Sequence, residues 1–132
     1  YGDHRDLHLS LRRQRQMCIR DSLYSGDDPT STEFILNGGN GTISVTANIV
    51  PKLIADICQL ALMGNSEESL KLDSELRELN KILFIESNPI PIKWMLNRIG
   101  RIAEGIRLPL TALNEKYHSD AEVILKDLKL LN

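Results

Sequence analysis

Between Gly38 and Pro51 the chain reads GGNGTISVTANIVP, and this stretch limits the fold more than any other. Three glycines, Gly38, Gly39 and Gly41, crowd four positions and allow a helix to stop and the chain to turn sharply. Thr42-Ile43-Ser44-Val45-Thr46 has the composition of a strand. Pro51 fits the first position of a helix, where its missing N–H is no loss. One strand cannot form a sheet, because its backbone donors and acceptors need neighbours on both sides. The stretch therefore predicts a helix–strand–helix unit whose sheet continues in residues outside this chain.

The punctuation on either side agrees. Asp28-Pro29 reads as a helix start, with Asp28 as cap and a helix to about Asn37. A helix from Pro51 carries Leu53, Ile54, Ile57, Cys58, Ala61 and Leu62 at helical spacing and stops at Gly64-Asn65. Ser66 is expected to cap one long helix, with Glu67 and Glu68 in its first turn and Leu70, Leu72, Leu76, Leu79, Ile82 and Leu83 as its stripe. Asn88 is expected to cap a further helix ending at Gly100, and a last helix is expected from about Leu113 to Leu130. A helix–strand–helix unit followed by helices alone reads as the end of an α/β domain.

Composition narrows the function classes. The 132 residues carry 42% hydrophobic and 26% charged residues with a net charge of -2, an ordinary balance for one soluble domain. Such a charge gives no reason to expect nucleic acid or an anionic membrane as partner. No apolar run reaches the roughly 18 residues of a membrane-spanning helix. Cys18 and Cys58 do not make a disulfide framework, which fits a reducing, cytoplasmic setting.

Residues 1–22 differ in character. They carry five Arg against three Asp and are net +2, whereas the remainder is net -4. The stretch SLRRQRQMCIRDS resembles the translated read-through of a sequencing adapter, so residues 1–22 are expected to be a non-native leader. A basic binding arm is the competing reading. His4 and His8 share the i, i+4 spacing of a helical metal pair, but no third ligand lies nearby and no metal is expected.

From Leu23 onward, three stretches stand in order: Ser25-Gly26-Asp27-Asp28, then Gly38-Gly39-Asn40-Gly41-Thr42-Ile43-Ser44-Val45-Thr46-Ala47-Asn48, then Asn88-Pro89-Ile90-Pro91-Ile92-Lys93-Trp94. Together they resemble the C-terminal part of the dihydrodipicolinate synthase family. The resemblance implies the end of a (β/α)8 TIM barrel plus a C-terminal helical extension. On that reading Leu23–Ser25 is the tail of the seventh strand, and Thr42–Thr46 is the eighth. Residues 23–64 are then the last part of the barrel and 65–132 the extension. The chain is expected to be mostly helical as it stands.

The family condenses pyruvate with aspartate semialdehyde on the route to lysine and diaminopimelate. It does so through a Schiff base on a sixth-strand lysine, without a cofactor. That lysine is expected about 25 residues upstream of Gly26, by the family's spacing, so the resemblance places no catalytic residue here and implies no catalysis by this chain. What it does place is Ile43, whose backbone carbonyl would line the pyruvate site, together with Gly26 and Asp27 at the barrel mouth. Asp27 is equally readable as a cap. Glu33 and Asn37 fall where the family makes subunit contacts, within a homodimer or homotetramer. Two alternatives stay open. One is another lyase of the superfamily, such as N-acetylneuraminate lyase or 2-keto-3-deoxygluconate aldolase. The other is a small non-enzymatic helical interaction module.

Overall fold

The computed structural model describes residues 22–131. Two short strands, β1 (Tyr24–Ser25) and β2 (Gly41–Thr42), pair in parallel with Tyr24 opposite Gly41 and Ser25 opposite Thr42. A parallel pair needs a crossover. It is supplied by a helical turn at Asp28–Thr30 and by α1 (Ser31–Leu36). After β2 a turn at Thr46–Asn48 leads into α2 (Pro51–Leu62). Four more helices follow: α3 (Ser66–Glu75), α4 (Arg77–Leu83), α5 (Ile90–Arg98) and α6 (His118–Asp127), the last preceded by a turn at Glu115–Tyr117.

The glycine cluster behaves as its composition predicts. Gly38 sits at φ 98°, beyond the last turn of α1, where any other residue would be strained. Gly39 is needed for a different reason. A Cβ there would run into the Phe34 ring and stand 2.9 Å from the Phe34 carbonyl.

The strand after the glycines is shorter than the expected Thr42–Thr46. Its ladder ends with the Ile43 amide on the Ser25 carbonyl at 2.8 Å. Beyond that point the amides of Val45 and Thr46 turn instead to the Asp28 carboxylate, and Thr46 already begins a helical turn. Asp28 is thus buried and bonded across to the segment that follows β2 rather than capping α1.

The core lies among the helices. Leu76, Leu83, Met95, Ala121 and Leu125 are fully buried and join Ile49, Ile57, Leu79 and Ile92 in one cluster. The predicted stripe of Leu76, Leu79, Ile82 and Leu83 is therefore correct in its facing. Leu70, from the same stripe, is instead exposed.

Four expected boundaries move. Asn65, not Ser66, caps α3 by accepting from the Glu68 amide, and its own amide group reaches the Glu68 carboxylate at 2.8 Å. The long helix is two helices, broken at Leu76. Asn88 makes no cap; α5 begins after Pro89, and the Ile90 amide bonds the Ser87 carbonyl. The last helix starts later than Leu113, because Asn114 caps a preceding turn through the Lys116 amide.

Candidate functional site

In a parallel βα arrangement, the C-terminal ends of the strands are where side chains and backbone groups converge on a ligand. Here Gly26 and Asp27 follow β1 directly, and Ile43 follows β2. Because Ser25 and Thr42 are register partners, Gly26 and Ile43 are the first residues beyond the pair on neighbouring strands. The structure thus brings the three sequence-predicted residues to one edge. Ile43 exposes 75% of its surface, so its side chain is no part of the helical core.

Asp27 is exposed and accepts from the Thr30 hydroxyl at 2.6 Å; it makes no backbone cap bond. The Ser25 hydroxyl stands 3.2 Å from the Asp27 amide and carbonyl and shapes the loop. The hydroxyl of Thr42 adds a 3.2 Å bond to the Ser25 carbonyl, so the two strand ends are tied by side chain as well as ladder.

Asp28 was missed as a site residue. Its Oδ2 accepts from Val45 N at 2.9 Å and Thr46 N at 3.1 Å, with 3% of the residue exposed. Behind it, the Thr46 hydroxyl donates to Asn80 Oδ1 at 2.6 Å in a buried bond. The only signal in the sequence was an acid next to Pro29, which points equally to a cap.

An open groove of about 710 Å³ runs beside the loop, lined by Asp27, Glu33, Asp73, Arg77, Lys81 and Phe84 among others. It lies between helices and meets the strand ends only at Asp27, touching neither Gly26 nor Ile43. Four described lysines lie on helices rather than at the strand ends. Lys52 and Lys81 sit on α2 and α4 in exposed pairs with Asp56 at 2.9 Å and Glu78 at 2.6 Å. Lys71 and Lys93 are on α3 and α5. Cys58 is half-buried on α2, and burial pushes its thiol pKa up. Among the described residues no three His, Cys, Asp or Glu side chains converge as metal ligands. His4, His8, Cys18 and all of the expected leader except Ser22 lie outside the described residues.

The model of the dihydrodipicolinate synthetase family matches residues 4–128. The chain belongs to this family. The family match begins within the stretch read from sequence as a leader.

Among family relatives, the 4-hydroxy-tetrahydrodipicolinate synthase of Marinobacter nauticus is 51% identical over 107 residues, which is 81% of this chain and 37% of that protein. The synthase of a Shewanella species is 54% identical over 110 residues, or 82% and 37%. The chain therefore spans little more than a third of the curated relatives it matches.

Solved family structures superpose well. A chloride-inhibited dihydrodipicolinate synthase from Acinetobacter baumannii, complexed with pyruvate, gives a TM-score of 0.81 at 45% identity over 83% of this chain and 38% of that one. The Thermotoga maritima enzyme gives 0.84 at 38% identity over 89% and 40%. The fold is accordingly the C-terminal part of the family's (β/α)8 barrel. β1, α1, β2 and α2 are its last strand–helix units, and the later helices are its extension. The interaction module expected as an alternative does not describe a chain of this family.

Proposed function

We propose that this chain is the C-terminal part of a 4-hydroxy-tetrahydrodipicolinate synthase, a lyase that condenses pyruvate with aspartate semialdehyde through a Schiff base. Residues 23–64 form the end of the barrel, and 65–132 form the extension. The observation that carries the reading is the parallel register, which sets Gly26, Asp27 and Ile43 side by side at the C-terminal strand ends. There the Ile43 carbonyl lines the pyruvate site. Gly26 allows close backbone approach, and Asp27 orients groups at the mouth. The iminium formed from pyruvate withdraws electrons and makes the methyl carbon acidic, so the enamine can attack the aldehyde carbon. The amine that forms it is not among Lys52, Lys71, Lys81 or Lys93, all of which sit on helices. The complete enzyme works as a homodimer or homotetramer, with Glu33 and Asn37 on the contact face; both are exposed here. The absence of any helix long and apolar enough to span a membrane among the described residues fits a cytoplasmic enzyme.

The test is a chimera in which residues 23–132 replace the matching C-terminal part of the Marinobacter nauticus synthase. Condensation of pyruvate with aspartate semialdehyde is expected at a rate within about tenfold of the parent, since correct packing of the last two units suffices to restore the mouth. A folded chimera that instead cleaves N-acetylneuraminate or 2-keto-3-deoxygluconate would assign the chain to another branch of the superfamily. In parallel, the chain alone is incubated with pyruvate and borohydride and weighed intact. Its mass should not change, and a stoichiometric adduct on one lysine would end the proposal that the nucleophile lies elsewhere.

A further inference from the structure

The short segment Ile43–Thr46 is pinned at closely spaced points. The Ile43 amide is held by the Ser25 carbonyl at 2.8 Å. The amides of Val45 and Thr46 are held by the single Asp28 Oδ2, at 2.9 and 3.1 Å. The Ile43 carbonyl belongs to the peptide between these anchors. Within two residues of backbone, few torsions remain by which it could turn away. Asp28 itself comes from the loop after β1, the loop that also carries Gly26 and Asp27. It is therefore the side chain that ties the exit of one strand to the exit of the next.

The support continues into the extension. Thr46 is fully buried and donates to Asn80 of α4 at 2.6 Å. Asp28 is nearly as buried, and its Oδ1 has no hydrogen-bond partner among the described residues. A buried carboxylate is a costly way to hold two amides, since an ion must lose its water. Such a group is best understood through the geometry it fixes.

We propose that Asp28 is a positioning residue for the Ile43 carbonyl, steadied by Thr46 and Asn80, and that it governs pyruvate affinity without touching pyruvate. The inference rests on the assignment of Ile43 to the pyruvate site.

The experiment measures steady-state kinetics of the chimera with Asp28→Ala and Asp28→Asn. The alanine variant is expected to raise the pyruvate KM about tenfold while kcat changes less than threefold, the size of effect that losing charge-assisted bonds at one oxygen produces. Asparagine keeps an oxygen that can accept from both amides and should recover most of that loss. An unchanged KM, or a kcat that falls only in step with the folded fraction, overturns the proposal.

A second measurement separates this inference from the functional reading. If the unsubstituted chimera folds but shows no condensation, the reading of function fails on its own. Hydrogen exchange on the 132-residue chain then decides whether Asp28 holds the segment at all. Asp28→Ala should speed exchange of the Val45 and Thr46 amides at least tenfold while α5 and α6 amides keep their rates. Equal rates at Val45 and Thr46 in both proteins overturn the positioning role.

Discussion

The helices α2–α6 and the strand pair β1–β2 belong to one chain and solve opposite problems. The helices enclose their own core: Leu76, Leu83, Met95 and Leu125 lose all contact with solvent. The strands do not. Tyr24, at the start of β1, is 55% exposed, and Ile43, at the end where the residues assigned to substrate converge, is 75% exposed. A helix satisfies its backbone within itself and needs only one covered stripe. A strand needs both neighbouring strands and a covered face. The helices thus cover their core between them, with Ile49 and Ile57 contributing to it, whereas the strand ends stay open.

This contrast can be broken at several points. The largest expected effect is in the helical core. Leu83→Ala or Met95→Ala should destabilise the chain by about 2–5 kcal/mol, read as a lower denaturant midpoint, because a buried cavity cannot collapse fully. A loss below about 0.5 kcal/mol, typical of a surface site, would mean the helices are not the stable part.

Gly39→Ala comes next. Its Cβ would meet the Phe34 ring and backbone, and about 1–3 kcal/mol of overpacking cost is expected in the same melt. Thr46→Val removes the buried bond to Asn80 and leaves an amide oxygen without its donor. About 1–3 kcal/mol should be lost. Ile43→Ser, by contrast, should leave the denaturant midpoint of this chain within about 0.5 kcal/mol. A large loss there would show that the strand ends are already packed, and the contrast would be gone.

The smallest effect concerns rate rather than stability. Burial raises the Cys58 thiol pKa, so less thiolate is present at a given pH. Alkylation at pH 8, followed by peptide mapping, should label Cys58 a fewfold more slowly than free glutathione, with the gap closing as pH rises. Labelling as fast as glutathione would place Cys58 in the solvated part of α2.

The features legible in the sequence were the local ones. Pro51 begins α2, and Gly64, at φ 77°, follows its end. Gly38 closes α1 in the left-handed conformation. Each of these is a backbone constraint that one residue states by itself. The misreading that bears on the site involved partners distant in sequence. Asp28 looked like a cap because an acid before proline usually is one; its true partners, the amides of Val45 and Thr46, lie beyond β2. Leu76 is a good helix former, and nothing around it marks a break. The site followed the same rule. The strand order and register made Gly26, Asp27 and Ile43 neighbours, and the resemblance to known family members had named them. No periodicity in the chain alone revealed the tie between their loops.

The break at Leu76 has a consequence for how this segment can change over time. Asp73, before the break, accepts from Thr32 of α1 at 2.7 Å, while Asn80, after it, accepts from Thr46 beyond β2. One elbow thus sets the phase between two grips on different parts of the barrel. Adding or deleting a single residue there would rotate α4 by about 100° about its axis relative to α3. One grip or the other would then face away. Length variation should be tolerated in the loop between α5 and α6 and purged at Leu76, although both are connections between helices of the same extension.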